Sequence, residues 1–241
     1  MIQHLLQLIW NQRKQNAWLW AELLLVSVFL WFLVDYLYVM GRTYTAPLGF
    51  DIRHTYSIVI SIPKEKRERP DGVHLLTALD RIRTYPGVES ACLTDGGMPY
   101  YMGSRNLVWR IDTLQVPCRY AFVTPEFFDV FRIYDKDGKT ASLKRAIEDN
   151  NSIVISADVE TMNPGLSLLG QKAYRGNVTD EIEETIRGIS VPIRRHEYTK
   201  AEPNVYRALR LSRMEEGYYE GMIDAVRLCV RVRPDVDNAD F

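Results

Sequence analysis

The sequence predicts an α+β protein that carries one membrane-spanning helix, and three patterns lead to that fold class. Residues 17–40 form an almost unbroken apolar stretch. Residues 56–94 have the composition of a strand, a helix and a second strand, and residues 225–232 alternate as a half-buried strand does. We therefore expect an amphipathic helix over residues 1–16, a spanning helix over 17–40 and a mixed-sheet domain of two lobes over 41–241.

Composition and charge are those of a globular domain joined to an apolar segment. Of 241 residues, 46% are hydrophobic and 25% are charged, and the part beyond residue 40 suffices for a sizeable core. The 30 basic and 31 acidic residues give a net charge of −1, which excludes a global attraction to nucleic acid. Cys92, Cys118 and Cys229 cannot all pair within one chain, so we expect buried thiols, with one disulfide as the alternative.

The apolar stretch is long enough to cross a bilayer, since about 20 apolar residues cover the hydrocarbon core. Arg13 and Lys14 precede it, whereas Asp35 and Arg42 near its other end cancel in charge. The positive-inside rule then places the N-terminus in the cytoplasm and the main domain outside it. A cleaved signal peptide is the alternative, but its apolar region should span about 7–15 residues and lead to a small-residue cleavage site.

Glu22 is the candidate for a packing contact inside the membrane. It lies about one and a half turns within the cytoplasmic end of the span, where a carboxylate that faces lipid is costly. A side chain that reaches back to the interface is the alternative. Before the span, one face of apolar residues predicts an amphipathic helix on the cytoplasmic membrane surface, or an extension of the span: Ile2, Leu5, Leu6 and Ile9.

The soluble part divides into strands and helices by its turn signals. Residues 56–62 predict a strand, 72–85 a helix that ends at Pro86-Gly87, and 88–94 a strand. This βαβ order normally places both strands parallel in one sheet. A hairpin is expected from strands at 106–111 and 116–123, and further strands at 152–156, 183–194, 205–211 and 225–232.

Two sets of charged residues are expected to face solvent. In the last strand, Arg227, Arg231 and Arg233 alternate with apolar residues that point inward. The adjacent carboxylates Glu183 and Glu184 lie in a polar stretch. Both sets are therefore interpreted as a solvated surface, and the arginines only secondarily as a surface for a partner.

Residues 123–131 predict a short helix that anchors the core. Thr124 suits the N-cap, Pro125 the first helical position, and Glu126 the positive end of the helix dipole. Phe127 and Phe128 then make the segment heavily apolar.

A loop at residues 96–105 is the candidate contact surface for a partner. Its paired glycines are not followed by Lys-Ser/Thr, so the loop lacks the phosphate-binding pattern. Met98, Tyr100, Tyr101 and Met102 are large side chains on a predicted turn, and exposed clusters of this kind mark contact sites. The alternative is that they pack over the edge of the sheet.

No catalytic residue, metal site or cofactor is predicted. His4, His54, His74 and His196 have no second His or Cys at metal-ligand spacing, and no nucleophile elbow or His-Glu-x-x-His motif occurs. Residues 135–138 begin like a calcium loop but lack the later ligands, so they predict a turn.

Four motifs in order resemble the N-terminal span and periplasmic core domain of MacB-like, FtsX-type ABC transporter permeases, most closely those of Bacteroidetes-type bacteria. They are Trp20-Ala-Glu-Leu-Leu-Leu-Val-Ser-Val28, Pro47-Leu-Gly-Phe-Asp51, Ala78-Leu-Asp-Arg-Ile-Arg-Thr-Tyr-Pro-Gly-Val88 and Val123-Thr-Pro-Glu-Phe-Phe-Asp-Val-Phe131. The resemblance covers nearly the whole chain but thins between residues 136 and 222.

The resemblance implies a non-catalytic subunit of the bacterial inner membrane. Such permeases dimerise with themselves or a second permease, and they work with a cytoplasmic P-loop ATPase. They pass ATP-driven motion to a periplasmic domain that acts on a periplasmic or outer-membrane client. The sequence contains no Walker motif, so ATP hydrolysis would belong to the partner.

The chain departs from the family pattern because it ends near where a second span would begin. We therefore expect either a fragment of a longer permease or a truncated form. The main alternative function is a membrane-anchored binding or scaffold module that needs no ATPase. An anchored hydrolase that uses His74 or His196 is a third possibility.

Overall fold

The computed structural model describes residues 3, 4, 7, 10, 17–59, 71–101, 103, 105–149, 151–175, 182–210 and 225–236. The chain divides into two compact units, Met1–Ala46 and Pro47–Phe241. The helices are α1 (Ala17–Thr45), α2 (Asp71–Arg83), α3 (Phe127–Val130), α4 (Ala141–Glu148) and α5 (Asp158–Met162). The strands are β1 (Thr55–Ile58), β2 (Val88–Asp95), β3 (Arg105–Ile111), β4 (Leu114–Val123), β5 (Ser152–Ser156), β6 (Lys172–Arg175), β7 (Ile182–Ser190), β8 (Asn204–Ala208) and β9 (Val226–Val232).

Helix α1 is the apolar stretch, and it runs five residues beyond the predicted end at Met40. Its mean hydropathy is 2.2 over the most apolar window, and its 29 residues give a length of about 43 Å. It is long and apolar enough to cross a membrane. Of residues 1–16, positions 3, 4, 7 and 10 are described, and all are helical and exposed. The predicted apolar face lies outside the described residues.

The βαβ prediction is confirmed, with one strand inserted. Strands β1 and β2 both pair antiparallel with β9, so they are parallel to each other with β9 between them. Helix α2 connects them and buries Leu75 and Leu79 against this part of the sheet. Sequence order alone does not reveal β9 as the middle strand, because it comes from the other end of the domain.

Six other pairings close a ring. Strand β4 pairs with β3, β3 with β6, β6 with β7, β7 with β5, β5 with β8, and β8 returns to β4. The ring encloses a core around Trp109, Ile155 and Ile186. The expected hairpin is its β3–β4 pair, which turns at Asp112 with φ 52°.

The two expected lobes correspond to two parts of one continuous sheet. The three-stranded part joins the ring through the short β2–β4 pairing, and both parts belong to the single unit Pro47–Phe241. The α+β fold class is confirmed.

Residues 123–131 anchor the third core cluster, but the predicted cap is wrong. Phe127 and Phe128 are fully buried. Helix α3 begins only at Phe127, with Glu126 at the N-cap position and Pro125 in the preceding turn. The Thr124 hydroxyl accepts a hydrogen bond from the Leu93 N–H (3.2 Å) in β2 instead of capping the helix. The Thr124 hydroxyl oxygen, which the local sequence pattern predicts to cap the helix, is therefore bonded to strand β2.

Three elements were not predicted: α4, α5 and β6. Helix α4 buries Leu143, Ala146 and Ile147, a helical spacing that the sequence does contain. Helix α5 and strand β6 have five and four residues, too few for a periodic signal.

Candidate functional site

Residues 47–54 connect the apolar helix to the domain, and we name them the juxtamembrane segment. Backbone hydrogen bonds hold it at two places: the Asp51 N–H donates to the Phe131 carbonyl (2.9 Å), and the Arg194 N–H donates to the Leu48 carbonyl (3.0 Å). Phe50 packs against the cluster around α3. The segment is thus bound along its length to residues that lie far from it in sequence.

Gly49 allows the juxtamembrane segment to lie close to the backbone of Pro192. Its φ is +82°, and a Cβ there would overlap the Pro192 carbonyl oxygen and lie 3.1 Å from the Pro192 carbonyl carbon. A side chain at this position therefore meets both backbone strain and a backbone clash.

Gly49→Ala is expected to loosen the juxtamembrane segment. Strain at positive φ costs about 1–2 kcal/mol, and the clash with Pro192 adds to it. Hydrogen exchange of residues 47–54 should rise. Gly138→Ala is the matched control, because Gly138 has φ +75° but open space around it. Equal effects of the two substitutions on unfolding temperature would contradict the clash.

Arg231 holds the juxtamembrane segment from inside the domain. Its side chain is 1% exposed, so the prediction that it faces solvent is wrong. The guanidinium donates to the carbonyls of Val130 (2.7 Å), Arg53 (2.8 Å) and Asp51. Burial, followed by the charge of Arg132, lowers the pKa of Arg231. One cation thereby joins strand β9, the last residue of helix α3 and the juxtamembrane segment.

Asp51 carries the segment's carboxylate. Its oxygens accept hydrogen bonds from the Arg53 backbone N–H (2.8 Å) and from the Arg53 guanidinium (3.0 Å to Oδ2). Burial alone raises the pKa of Asp51, but these hydrogen bonds and the charges of Arg231 and Arg53 outweigh burial, so the net pKa is lowered.

Because the pKa of Asp51 is lowered, the contribution of this carboxylate to the stability of the fold depends on pH. Because the folded pKa lies below the unfolded value of 3.8, the contribution is complete above that value and is lost as pH falls through the folded pKa. We expect wild type to exceed Asp51→Asn in unfolding temperature at pH 6, and the gap to narrow below about pH 4. A gap that stays constant down to pH 2.5 would contradict this assignment.

The predicted contact loop lies next to the juxtamembrane segment. The Tyr100 N–H donates to the Arg195 carbonyl (3.1 Å), and its ring meets Phe50 edge-on at 6.0 Å between centroids. The Tyr100 hydroxyl donates to Glu197, and this bond lowers the pKa of Glu197. Tyr100 is 41% exposed and Tyr101 is half-buried. Met102 lies outside the described residues.

Met98 points toward the core and not toward solvent. It packs against the cluster around α3, and its sulfur lies 3.1 Å from the Cys229 sulfur. Cys229 faces Cys92 directly across the β2–β9 pair. All three cysteines are buried free thiols, and burial raises the pKa of Cys118 to about 12.

Glu184 is a buried carboxylate that sequence analysis placed on the surface. Only 2% of it is exposed. It accepts hydrogen bonds from the Arg207 Nε (2.6 Å) and the Trp109 Nε1 (3.3 Å), and its carboxylate lies 3.3 Å from the Arg175 Nε. Its neighbour Glu183 does face solvent and pairs with Lys172 at 2.8 Å. The three partners come from β3, β6 and β8, so no local pattern indicates the site.

The remaining predicted positions lie on the exposed surface of α1 or in local turns. Glu22 lies on the exposed surface of α1, and its role in packing stays a prediction. His196 accepts a hydrogen bond from the Tyr198 N–H (3.2 Å), a local turn contact. The Asp135 carboxylate accepts from the backbone of Asp137 and Lys139 and forms the predicted turn. Among the described residues, no three His, Cys, Asp or Glu side chains form a group that could hold a metal.

No family model matches the sequence, and no curated protein matches it significantly. Solved structures do match. One is a domain from Porphyromonas gingivalis described as part of a permease, with 20% identity, a TM-score of 0.49, and 68% of this chain and 63% of that chain covered. This chain thus spans less than two thirds of that relative.

Two further structures show similarity at a comparable level. The periplasmic region of MacB from Actinobacillus actinomycetemcomitans has 10% identity, a TM-score of 0.47 and 83% of each chain covered. The extracellular domain of the ABC-type transporter YknZ from Gram-positive bacteria has 13% identity, a TM-score of 0.46, and 75% of this chain and 84% of that chain covered. These three structures are described as a domain of a permease, the periplasmic region of MacB and the extracellular domain of an ABC-type transporter.

Proposed function

We propose that this chain is the N-terminal part of a MacB/FtsX-like ABC transporter permease subunit. It would anchor in the bacterial inner membrane through α1, with its N-terminus in the cytoplasm and its α+β domain in the periplasm. ATP hydrolysis would belong to a cytoplasmic P-loop ATPase partner, so this chain would be non-catalytic. Its role is to transmit motion of the span to periplasmic work, such as export or a lipoprotein or envelope process.

The observation that carries this proposal is the set of contacts that Arg231 and its neighbours make with the juxtamembrane segment. Transmission of motion needs a stiff connection between a membrane helix and the domain that acts. Here the residues directly after α1 are bound by Arg231, by the Phe131 and Arg194 backbones, and by the packing of Phe50. A simple tether for a binding module needs no such buried connection.

The proposed partners follow from the sequence motifs. They are a P-loop ATPase, a second permease as homodimer or heterodimer, and a periplasmic or outer-membrane client. Glu22 would pack against a neighbouring span, since a carboxylate inside the membrane is best met by another helix.

Affinity purification of the natively tagged protein from mild-detergent membranes tests the proposal. Recovery of a P-loop ATPase with the protein would support it. An intact complex that contains only periplasmic or envelope proteins would instead favour the anchored binding or scaffold module.

The same purification tests the contact loop. Tyr100→Ala and Tyr101→Ala are expected to reduce recovery of the periplasmic partner while the ATPase stays bound. If both variants fold and retain every partner, the loop is not a contact surface, and the contacts of Tyr100 with Phe50 and Glu197 are structural.

A further inference from the structure

A cavity opens beside the juxtamembrane segment, and its lining is rich in arginine. Its volume is about 260 Å³, just below the roughly 300–1,000 Å³ of sites for drug-sized ligands. The lining residues are Asp51, Arg53, His54, Arg132, Arg231, Val232 and Pro234. A cavity of this size suits a small polar group.

The arginines of the cavity are incompletely neutralised. Asp51 is engaged by Arg53 at 3.0 Å. Arg132 lies 3.6 Å from Asp51 and 3.7 Å from Glu89, distances that exceed a hydrogen bond. Arg231 uses three of its five N–H groups on carbonyls. The three guanidinium groups of Arg53, Arg132 and Arg231 thus face two carboxylates, Asp51 and Glu89, so one positive charge at the cavity is not compensated.

Two residues that line the cavity, His54 and Arg132, have unusual backbone conformations. His54 has φ 56° and Arg132 has φ 49°, in the left-handed region that costs a non-glycine residue about 1 kcal/mol or more. Both are lining residues. The charge of Arg132 also lowers the pKa of Arg231, so the two cations repel each other and an anion between them would relieve that repulsion.

We propose that this cavity binds a phosphoryl group through Arg132 and Arg231. Planar guanidinium forks match the oxygens of a phosphoryl group and hold it by charge-assisted hydrogen bonds. The inference goes beyond the proposed function and holds whether or not an ATPase partner exists.

Two sources present this chemistry, a phospholipid headgroup and a soluble phosphate compound. Asp51 follows the last residue of α1, Thr45, by six positions, so chain length alone keeps it within about 20 Å of the helix end. The 29-residue helix is longer than the roughly 30 Å hydrocarbon core. The short sequence separation between α1 and the cavity makes a phospholipid headgroup the first source to test.

Titration of the full chain in a maltoside detergent, which carries no phosphate, tests the proposal. The probes are inorganic phosphate, dihexanoyl phosphatidylglycerol, and the matching diacylglycerol as the ligand without a phosphoryl group. Arg132→Gln is expected to weaken binding of both phosphoryl probes by about tenfold or more. Arg187→Gln, an exposed arginine paired with Asp149 outside the cavity, should leave binding unchanged.

Arg53→Gln is a second variant in case Arg132→Gln does not fold. It frees the Asp51 carboxylate to compete for the cavity, so it should also weaken both phosphoryl probes. Tighter binding of the lipid than of phosphate would identify a headgroup site, and the reverse order a site for a soluble phosphate compound. Equal affinity in wild type and both variants, or no affinity above that of diacylglycerol, would overturn the proposal.

Discussion

Glu184→Gln is expected to destabilise the domain by about 3–5 kcal/mol, because it removes one member of a buried charge network and leaves the others unpaired. Arg207 and Arg175 would remain inside the ring without a counter-charge, and the Trp109 N–H would keep only a weaker acceptor. For a unit of this size, the unfolding temperature should fall by about 10 °C. Thermal unfolding followed by circular dichroism measures the change.

The neighbouring carboxylate supplies a matched control. Glu183→Gln makes the same chemical change one residue away, in a side chain that is 46% exposed and pairs with a Lys172 that is 59% exposed. Exposed pairs of this kind contribute little to stability because solvent screens the two charges, so a shift of a few degrees at most is expected. Similar losses from both substitutions would show that the burial of Glu184 does not determine its contribution.

A double substitution separates the network from general damage to the core. Arg207→Met removes the cation that contacts Glu184 most closely and that also stacks 4.9 Å over the Phe122 ring. Because the two groups share one interaction, Glu184→Gln combined with Arg207→Met should cost clearly less than the sum of the single changes. Strict additivity would contradict the paired arrangement.

The sequence predicts the elements whose signal is local. Strand β5 has the predicted bounds, because a short β-branched run between turn residues is sufficient for a strand buried on both faces. Strand β2 differs from its predicted bounds by one residue. The order of strands in the sheet is not local. Strand β9 enters between β1 and β2, and β8 closes the ring against β4, through pairings between residues far apart in sequence.

The sequence pattern also does not predict which charged residues are buried, because their burial depends on contacts between residues far apart in sequence. Alternation in β9 correctly separates the two faces of the strand, but it cannot show that α3 and the juxtamembrane segment cover the second face. Glu184 lies in a polar run, yet its partners come from three other strands. The predicted contact loop does lie at the juxtamembrane segment, because the Tyr100 ring contacts the Phe50 ring.

Arg231→Gln is expected to release the juxtamembrane segment and to cost about 3 kcal/mol or more. Hydrogen bonds from a charged donor contribute about 1.5–3 kcal/mol each, and carbonyls buried without a donor add a desolvation penalty. The three carbonyls that would lose their donor belong to Val130, Arg53 and Asp51. Hydrogen exchange should rise most in residues 47–54, and the unfolding temperature should fall.

Arg233→Gln and Arg231→Lys are the controls. Arg233 belongs to the same predicted row but is exposed, and its carboxylate contact with Asp235 is 3.8 Å long, so its loss should cost no more than about 0.5 kcal/mol. Lysine at 231 keeps the charge but has one nitrogen, which cannot take the place of a planar fork on three carbonyls. Lysine should therefore recover little of the lost protection.

The result also separates the two functions that remain open. If the segment transmits motion, an Arg231→Gln protein that still folds at low temperature should bind its ATPase normally, yet fail to pass a nucleotide-dependent change to the periplasmic domain. A spin label on that domain would then report a difference between nucleotide states in wild type and none in the variant, whereas a tethered domain would show no difference in either protein. If the domain is only tethered, Arg231→Gln should lower stability and leave partner binding as it was, because a loose tether holds a binding module as well as a stiff one.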